Sequence, residues 1–405
     1  MKLRTGTPLW LDLSGSEPPN EPLNSDISCD VLVIGSGVTG AMIALHLAEI
    51  GFDVVVVDRR SAASGSTPAC TALIQYDIDV PLLELQNLIG RSKAERAYKA
   101  TRKAIEDIRL LVLKHELDCA FSLRSGLYLA SLESDEEVLK KESEARARLG
   151  IEARYLDRQT LKQRFNISRP GAIYSEVEYE LNPCQLTYQL LARAIALGTR
   201  LFTNTEIRLE KDKSQSLKVS TQTGNKIKCG DIVIATGYET PEIFPTLKKL
   251  CSLNSTYAIA TQPVEPSSLW NERALIWEHS DPYLYARTTP DNRIIAGGED
   301  EEFSDPTSRD KLIPVKSNLI LKKLQELFPE TELKIDYQWT GTFAETEDGL
   351  PIIGIPDANT RCHFALGYGG NGITYSLLAA QIIRDRIREV PNEVGSLFSF
   401  ERINR

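Results

Sequence analysis

Four histidines (His46, His115, His279, His363) and seven cysteines (Cys29, Cys70, Cys119, Cys184, Cys229, Cys251, Cys362) are scattered over 405 residues. No two cysteines form a C-x-x-C pair and their number is odd, so the spacing offers neither a disulfide framework nor a ligand set for zinc or iron. Free, mostly buried thiols in a reducing compartment are expected, and no metal. No stretch approaches the roughly 20 apolar residues of a membrane-spanning helix. The first twenty residues or so are polar and proline-containing, without the apolar heart of a signal peptide, and a cytoplasmic location is expected. A basic surplus is missing as well. The net charge is −9, which speaks against nucleic acid or an anionic membrane as the main partner. No Ser-His-Asp or Cys-His constellation is visible either.

What is present is concentrated in the stretch from Asp30 to Asp58, CDVLVIGSGVTGAMIALHLAEIGFDVVVVD from its preceding Cys29. The β-branched run 31–34 reads as a strand buried on both faces. Gly35, Gly37 and Gly40 follow at the G-x-G-x-x-G spacing, with Val38 and Thr39 between the last two. The first glycine permits a tight turn, the second lets backbone approach a pyrophosphate, and the third lets helix pack close to strand. A helix is expected over 38–50, with Gly51 as its C′ residue. A second strand, 53–57, ends in Asp58, about 20 residues beyond the glycines, where a carboxylate can accept ribose hydroxyls. Strand, glycines, helix, strand and acid in that order point to a dinucleotide.

The rest of the chain has a legible organisation. Residues 1–26 read as an arm in which Trp10 docks on the body. Helical spacing marks 91–117 and 136–149, with a strand at 125–130 between them. Asn182-Pro183 opens another helix, closed near Gly198. Strands are expected at 200–203, 217–221 and 226–228, and DIVIATG (231–237) is a further strand ending in the glycine turn Ala235-Thr236-Gly237. Between Tyr257 and Trp339 the composition turns aromatic and strand-like, with a charged helix near 311–327. A second glycine cluster, Gly367-Tyr368-Gly369-Gly370-Asn371-Gly372, then enters a helix from Ile373 to about Arg388. Two glycine-rich strand-to-helix turns bracketing the chain imply an α/β protein. Its Rossmann-type nucleotide domain is discontinuous (27–120, 160–250 and 340–396). An inserted α+β substrate domain (121–159 and 251–339) is built on an antiparallel sheet.

Taken together these pieces resemble the D-amino-acid oxidase-like flavoenzymes, the group holding glycine oxidase, sarcosine oxidase and γ-glutamylputrescine oxidase. The residues carrying the resemblance are GSGVTG with Asp58, GSTPAC (65–70), the ATG turn (235–237), DGLPIIG (348–354) and GYGGNG (367–372). The resemblance implies FAD, with the pyrophosphate at the first helix N-terminus. It puts Asp58 at the adenosine ribose, and Arg59, Arg60 and Ile207 around the adenine. Ser64, Gly65, Ser66 and Thr67 would pass between phosphate and isoalloxazine, while Gly354, Tyr368, Gly369, Gly370, Asn371, Gly372 and Ile373 would surround the flavin end. A helix N-terminus there stabilises charge on the reduced ring. The implied activity is oxidation of a small amine or amino acid, with oxygen as acceptor and hydrogen peroxide as product. A dehydrogenase with another acceptor, or a flavin-binding partner without turnover, are the alternatives.

The chain departs from the resemblance in two places. Phe343 occupies the position of an arginine that helps bind the substrate carboxylate in many relatives, and no cysteine matches the covalent flavin linkage of monomeric sarcosine oxidase. Non-covalent FAD is therefore expected. Tyr283, Tyr285 and Arg287 alternate along PYLYARTTPDN, which places all three on one strand face. They are candidates for a substrate pocket, with Arg287 as the remaining carboxylate anchor. Asn371 joins Phe343 as a candidate at the same site.

Overall fold

Four consecutive valines, Val54–Val57, are wholly buried, because the strand they form lies inside a sheet covered on both faces. The computed structural model describes residues 1–211, 217–357 and 360–403. In its parallel sheet the strands Cys362–Leu366, Lys226–Ile234, Ile27–Ile34, Val54–Val57 and Arg200–Phe202 run side by side in that order. Ile352–Gly354 pairs antiparallel at one edge. The helices Val38–Ala48, Pro183–Ala196 and Gly372–Ile387 bury their apolar residues on one face in a core that includes Val31, Val33, Leu45, Leu190 and Ile383. Asn182 caps the second of them, its side-chain oxygen accepting the N–H groups of Cys184 and Gln185. The opposite face carries a separate cluster that includes Leu32, Val55, Ile234 and Phe364.

The second sheet has ten strands. From one edge they run Arg4–Gly6, Ile335–Glu345, Ser252–Thr261, Ile294–Glu301, Leu284–Thr288, Leu275–His279, Ser122–Ala130, Gly171–Glu180 and Leu73–Ile74, with Ala153–Asp157 also on Gly171–Glu180. Pairing is antiparallel except between Leu275–His279 and Ser122–Ala130, which run parallel. The expected antiparallel sheet is thus mixed at one junction. The helix Pro306–Leu327 covers it, its start capped by the Asp305 carboxylate on the Ser308 N–H. Ile320 and Leu324 are fully buried in this second core.

Three sheet memberships differ from the sequence reading, the first being Leu73–Ile74, expected in the nucleotide domain and paired with Gly171–Glu180 in the mixed sheet. Gly171–Glu180, inside a segment expected in the nucleotide domain, lies in the mixed sheet beside Ser122–Ala130. Ile335–Glu345 belongs wholly to that sheet and crosses the expected boundary at 340. The N-terminal arm does more than dock. Arg4–Gly6 adds an edge strand to Ile335–Glu345, and buried Trp10 donates its indole N–H to the Cys70 carbonyl at 2.6 Å. That carbonyl belongs to residues 64–72, which bridge the two sheets. Arg4 holds the Gly65 carbonyl at 3.2 Å, Trp339 holds Ala69 at 3.0 Å, and Arg287 holds Ala72 at 2.8 Å.

Candidate functional site

The first glycine turn is built by steric necessity. Gly35 has φ of +114°, and a Cβ there would stand 2.3 Å from the Ala235 carbonyl oxygen. A Cβ on Gly40 would stand 1.8 Å from the Gly35 carbonyl oxygen, so the helix closes on the strand only without side chains. That helix begins after Gly37, which offers no side-chain cap, and its N-terminus opens into a large cavity. Exposed N–H groups and the helix dipole make the opening receptive to an anion. Thr67 contributes its Oγ1, accepting the Val38 N–H at 3.2 Å. At the end of Val54–Val57, Asp58 Oδ2 accepts the Ser36 N–H and hydroxyl at 2.7 and 2.8 Å, and Oδ1 accepts the Arg60 N–H at 2.9 Å. The carboxylate is locked to the turn with lone pairs left over toward the cavity. Arg59 and Arg60 pair with Glu239, which follows the ATG turn.

The cavity, about 900 Å³, runs from this turn between the sheets to the second glycine turn. There the helix Gly372–Ile387 also lacks a side-chain cap. Its preceding Asn371 instead donates from Nδ2 to the Asp77 carbonyl at 2.7 Å and to Asp79 Oδ1 at 3.2 Å. Asp79 Oδ2 accepts the Gly370 N–H at 2.9 Å, and a Cβ on Gly369 would meet that oxygen at 2.0 Å. The turn and the carboxylate are therefore fitted to each other. Asp79 opens to the cavity yet is enclosed by protein. That burial pushes its carboxyl up to about 6 against the Gly370 hydrogen bond, with Asp300 and Asp77 adding to the rise. Glu345, across the same space, is pushed up to about 7 by burial, then by Asp79 and Asp300. Tyr283 and Tyr285 stand nearby with ring centroids 5.9 Å apart, the Tyr283 hydroxyl donating to Asp300 at 2.7 Å. Tyr285 lies over Gly297, where a Cβ would come within 2.2 Å of its hydroxyl.

Most of the sequence-derived residues meet in this cavity: Gly35, Gly37, Val38, Thr39, Asp58, Arg59, Arg60, Gly65, Ser66, Thr67, Ile207, Ala235, Thr236, Gly237, Phe343 and the run 368–373 all line it, as do both tyrosines. Four residues stand outside its lining. Gly40 acts one layer back, under the turn. Ser64 turns its hydroxyl to the Ser61 carbonyl, and Gly354 ends an edge strand.

Arg287 is the fourth and the substantive correction. It shares a strand face with Tyr285 but lies further along, beneath residues 71–73. Its guanidinium, 1% exposed, is spent on the carbonyls of Thr71, Ala72, Leu181 and Thr288 and pairs with Glu180 at 3.4 Å. It braces the site rather than facing it. Sequence reasoning passed over Asp77, Asp79, Tyr238 and Glu345. Acids at alternate positions in QYDIDVP were the available signal for the first two.

These features fit a dinucleotide at one end and an uncharged or electron-rich ring system at the other: two helix N-termini whose N-cap residues make no side-chain cap, two cradles that a Cβ would fill, and a locked acid at the end of the second strand. A sequence profile described as DAO, FAD dependent oxidoreductase, matches residues 30–386. The chain belongs to that family. It is a flavoenzyme, and FAD is its cofactor. Among its relatives, γ-glutamylputrescine oxidoreductase of Escherichia coli is 28% identical over 384 residues, covering 91% of this chain and 86% of the relative. Glycine oxidase of Bacillus licheniformis is 25% identical over 385 residues, covering 92% and 96%. The fold is shared with L-proline dehydrogenase from P. horikoshii (TM-score 0.79, 19% identity, 94% and 99% covered). Glycine oxidase from Geobacillus kaustophilus also shares it (TM-score 0.74, 18% identity, 90% and 96% covered). No helix among the described residues is long and apolar enough to cross a membrane, and no group of His, Cys, Asp or Glu there could hold a metal ion.

Proposed function

We propose that this flavoenzyme oxidises a carbon–nitrogen bond of a small amine or amino acid, the imine product being hydrolysed and the electrons passing to oxygen with release of hydrogen peroxide. The observation that carries the reading is that two carboxyl groups held above their ordinary range, Asp79 on the second glycine turn and Glu345, line the same cavity as the dinucleotide cradle. FAD, when bound, supplies the two-electron acceptor. The protein's own part is to hold the amine there and remove its proton. An ammonium ion cannot give up a hydride until its nitrogen carries a free pair. Carboxyl groups titrating near 6 and 7 suit a proton acceptor at neutral pH. Tyr283, Tyr285 and Phe343 wall the space with aromatic surface and exclude water.

With Arg287 turned away and Phe343 in the position of the usual arginine, the substrate half offers no two-point clamp for an α-carboxylate. An amine without one is favoured. The names of the relatives, an oxidoreductase of γ-glutamylputrescine and a glycine oxidase, support amine oxidation in general without choosing a substrate. Anaerobic titration of the holoenzyme against a panel of amines and amino acids tests the proposal: bleaching of the flavin is expected, and a flavin that no member reduces refutes it. Oxygen uptake with stoichiometric peroxide is expected on readmitting air. Slow reoxidation would assign the electrons to another acceptor.

A further inference from the structure

At the second glycine turn two negative charges have a claim on one set of donors. The helix Gly372–Ile387 opens into the cavity at the end remote from the dinucleotide cradle, where the flavin ring of bound FAD belongs. A helix N-terminus there favours the negative charge that the ring gains on reduction. In this chain the position is already shared with an acid that lines the same cavity. Asp79 accepts the Gly370 N–H at 2.9 Å on one carboxylate oxygen and the Asn371 side-chain amide at 3.2 Å on the other. A Cβ on Gly369 would stand 2.0 Å from the first of these oxygens, so the turn closes on the carboxylate as far as bare backbone allows.

The surroundings of Asp79 offer no counter-charge. Asp77 faces it from its own segment, Asp300 from the strand Ile294–Glu301, and Glu345 from the strand Ile335–Glu345. Three phenols stand around it as well: Tyr238 after the ATG turn, Tyr283 before the strand Leu284–Thr288, and Tyr375 on the helix itself. Among the described residues no lysine, arginine or histidine faces Asp79. Its charge is therefore supported by two hydrogen bonds alone, and burial, with the neighbouring acids, lifts the carboxyl to about 6. A further negative charge entering this space raises it again, because like charges in an enclosed site disfavour each other.

We propose that Asp79 takes up a proton when the flavin beside it is reduced and releases that proton on reoxidation. Two electrons and one proton reach the ring at N5, and the Asp79 carboxylate binds a second proton from solvent to become a neutral carboxyl. The helix N-terminus then serves a single negative charge, that of the reduced ring. By linkage, a proton on Asp79 makes reduction easier to the same extent that reduction makes the proton bind more tightly. The inference concerns the cofactor and needs no substrate, so it can fail or stand apart from the amine-oxidation reading.

The midpoint potential of the holoenzyme, measured without amine from about pH 6.5 to 8.5, lies in the range where Asp79 is ionised beside the oxidised flavin. Wild type is expected to fall by about 59 mV per pH unit, two protons per two electrons, while the near-ultraviolet spectrum shows the reduced flavin as its anion. Asp79→Asn should fall by only about 30 mV per pH unit and lie further above wild type as pH rises. Glu345→Gln should keep the steeper slope. The reduced-minus-oxidised infrared spectrum of wild type should also gain the C=O band of a protonated carboxyl, shifted in heavy water and retained in Glu345→Gln. That band decides the matter if Asp79→Asn does not fold or does not hold FAD. A one-proton slope in wild type, a neutral reduced flavin, an unchanged slope in Asp79→Asn, or no carboxyl band would overturn the proposal. Loss of the steep slope in Glu345→Gln with Asp79→Asn unaffected would overturn it in favour of Glu345. Coupling as expected, in an enzyme whose flavin no amine bleaches, would uphold Asp79 and refute amine oxidation.

Discussion

Asp58 holds Ser36 twice, accepting its backbone N–H at 2.7 Å and its hydroxyl at 2.8 Å on a single carboxylate oxygen. The acid that ends the second strand thus fixes the glycine turn after the first, and it lines the cavity at the same time. Asp58→Ala removes a charge-assisted acceptor and releases the turn. The expected loss of FAD affinity is roughly 1.5–3 kcal/mol, read by equilibrium binding to apoprotein. Unchanged affinity would show that the ribose lies elsewhere.

FAD is expected to be held without a covalent bond. Cys70 itself lines the cavity, but burial pushes its thiol up and makes it a poor nucleophile. Acid precipitation should leave the yellow colour in the supernatant. Colour retained by the pellet would contradict this.

Arg287→Met tests the residue that strand alternation alone aims at the substrate. Removing Arg287 leaves Glu180 paired with Arg124 alone and strips the buried Ala72 and Leu181 carbonyls of their donor, a cost of roughly 1–3 kcal/mol. The expected outcome is a clear drop in melting temperature, while the amine concentration giving half-reduction stays the same in the folded fraction. An unchanged melting curve with weakened half-reduction would return Arg287 to the substrate site.

Glu345 and Asp79 set a pH window. Both carboxyl groups are raised, to about 7 and about 6, so they ionise only as pH climbs through that range. A proton acceptor must be ionised, so the efficiency of flavin reduction should rise with pH from about 5 to 8. Glu345→Gln should remove the upper part of the rise. The same shifts act on stability with the opposite sign. A raised carboxyl favours the folded state while protonated, so that contribution is complete below the ordinary carboxylate range and lost as pH passes the folded values. Apoprotein melting should therefore fall over the window in which reduction improves, and Glu345→Gln should flatten that fall. A pH-independent reduction rate would remove both acids from the chemistry.

The nucleotide half of the fold was legible because its signals are local: glycines at fixed spacing, β-branched runs and capping residues such as Asn182 need no distant information. Gly171–Glu180 was not. Glu176, Glu178 and Glu180 alternate as a solvent-facing edge would, yet Glu178 and Glu180 are fully buried, and Glu180 is matched by Arg124 and Arg287 from other strands. Arg287 shows the limit of period-two reasoning, since alternation gives the face of a side chain but not what covers it further along. Asp79 and Glu345 carry no mutual signal in sequence, because their meeting depends on the path of the whole mixed sheet.

The carbonyls of residues 64–72 are gripped by Arg4, Trp339, Trp10 and Arg287, donors drawn from both ends and the middle of the chain. Such a segment cannot settle until those distant parts have assembled, so its shape belongs to the last stage of folding, when slow long-range closures are complete. Because it lines the cofactor cavity, FAD would select the fully assembled chain and draw late intermediates toward it by mass action. Flavin supply during expression would then govern the yield of native protein as well as its colour.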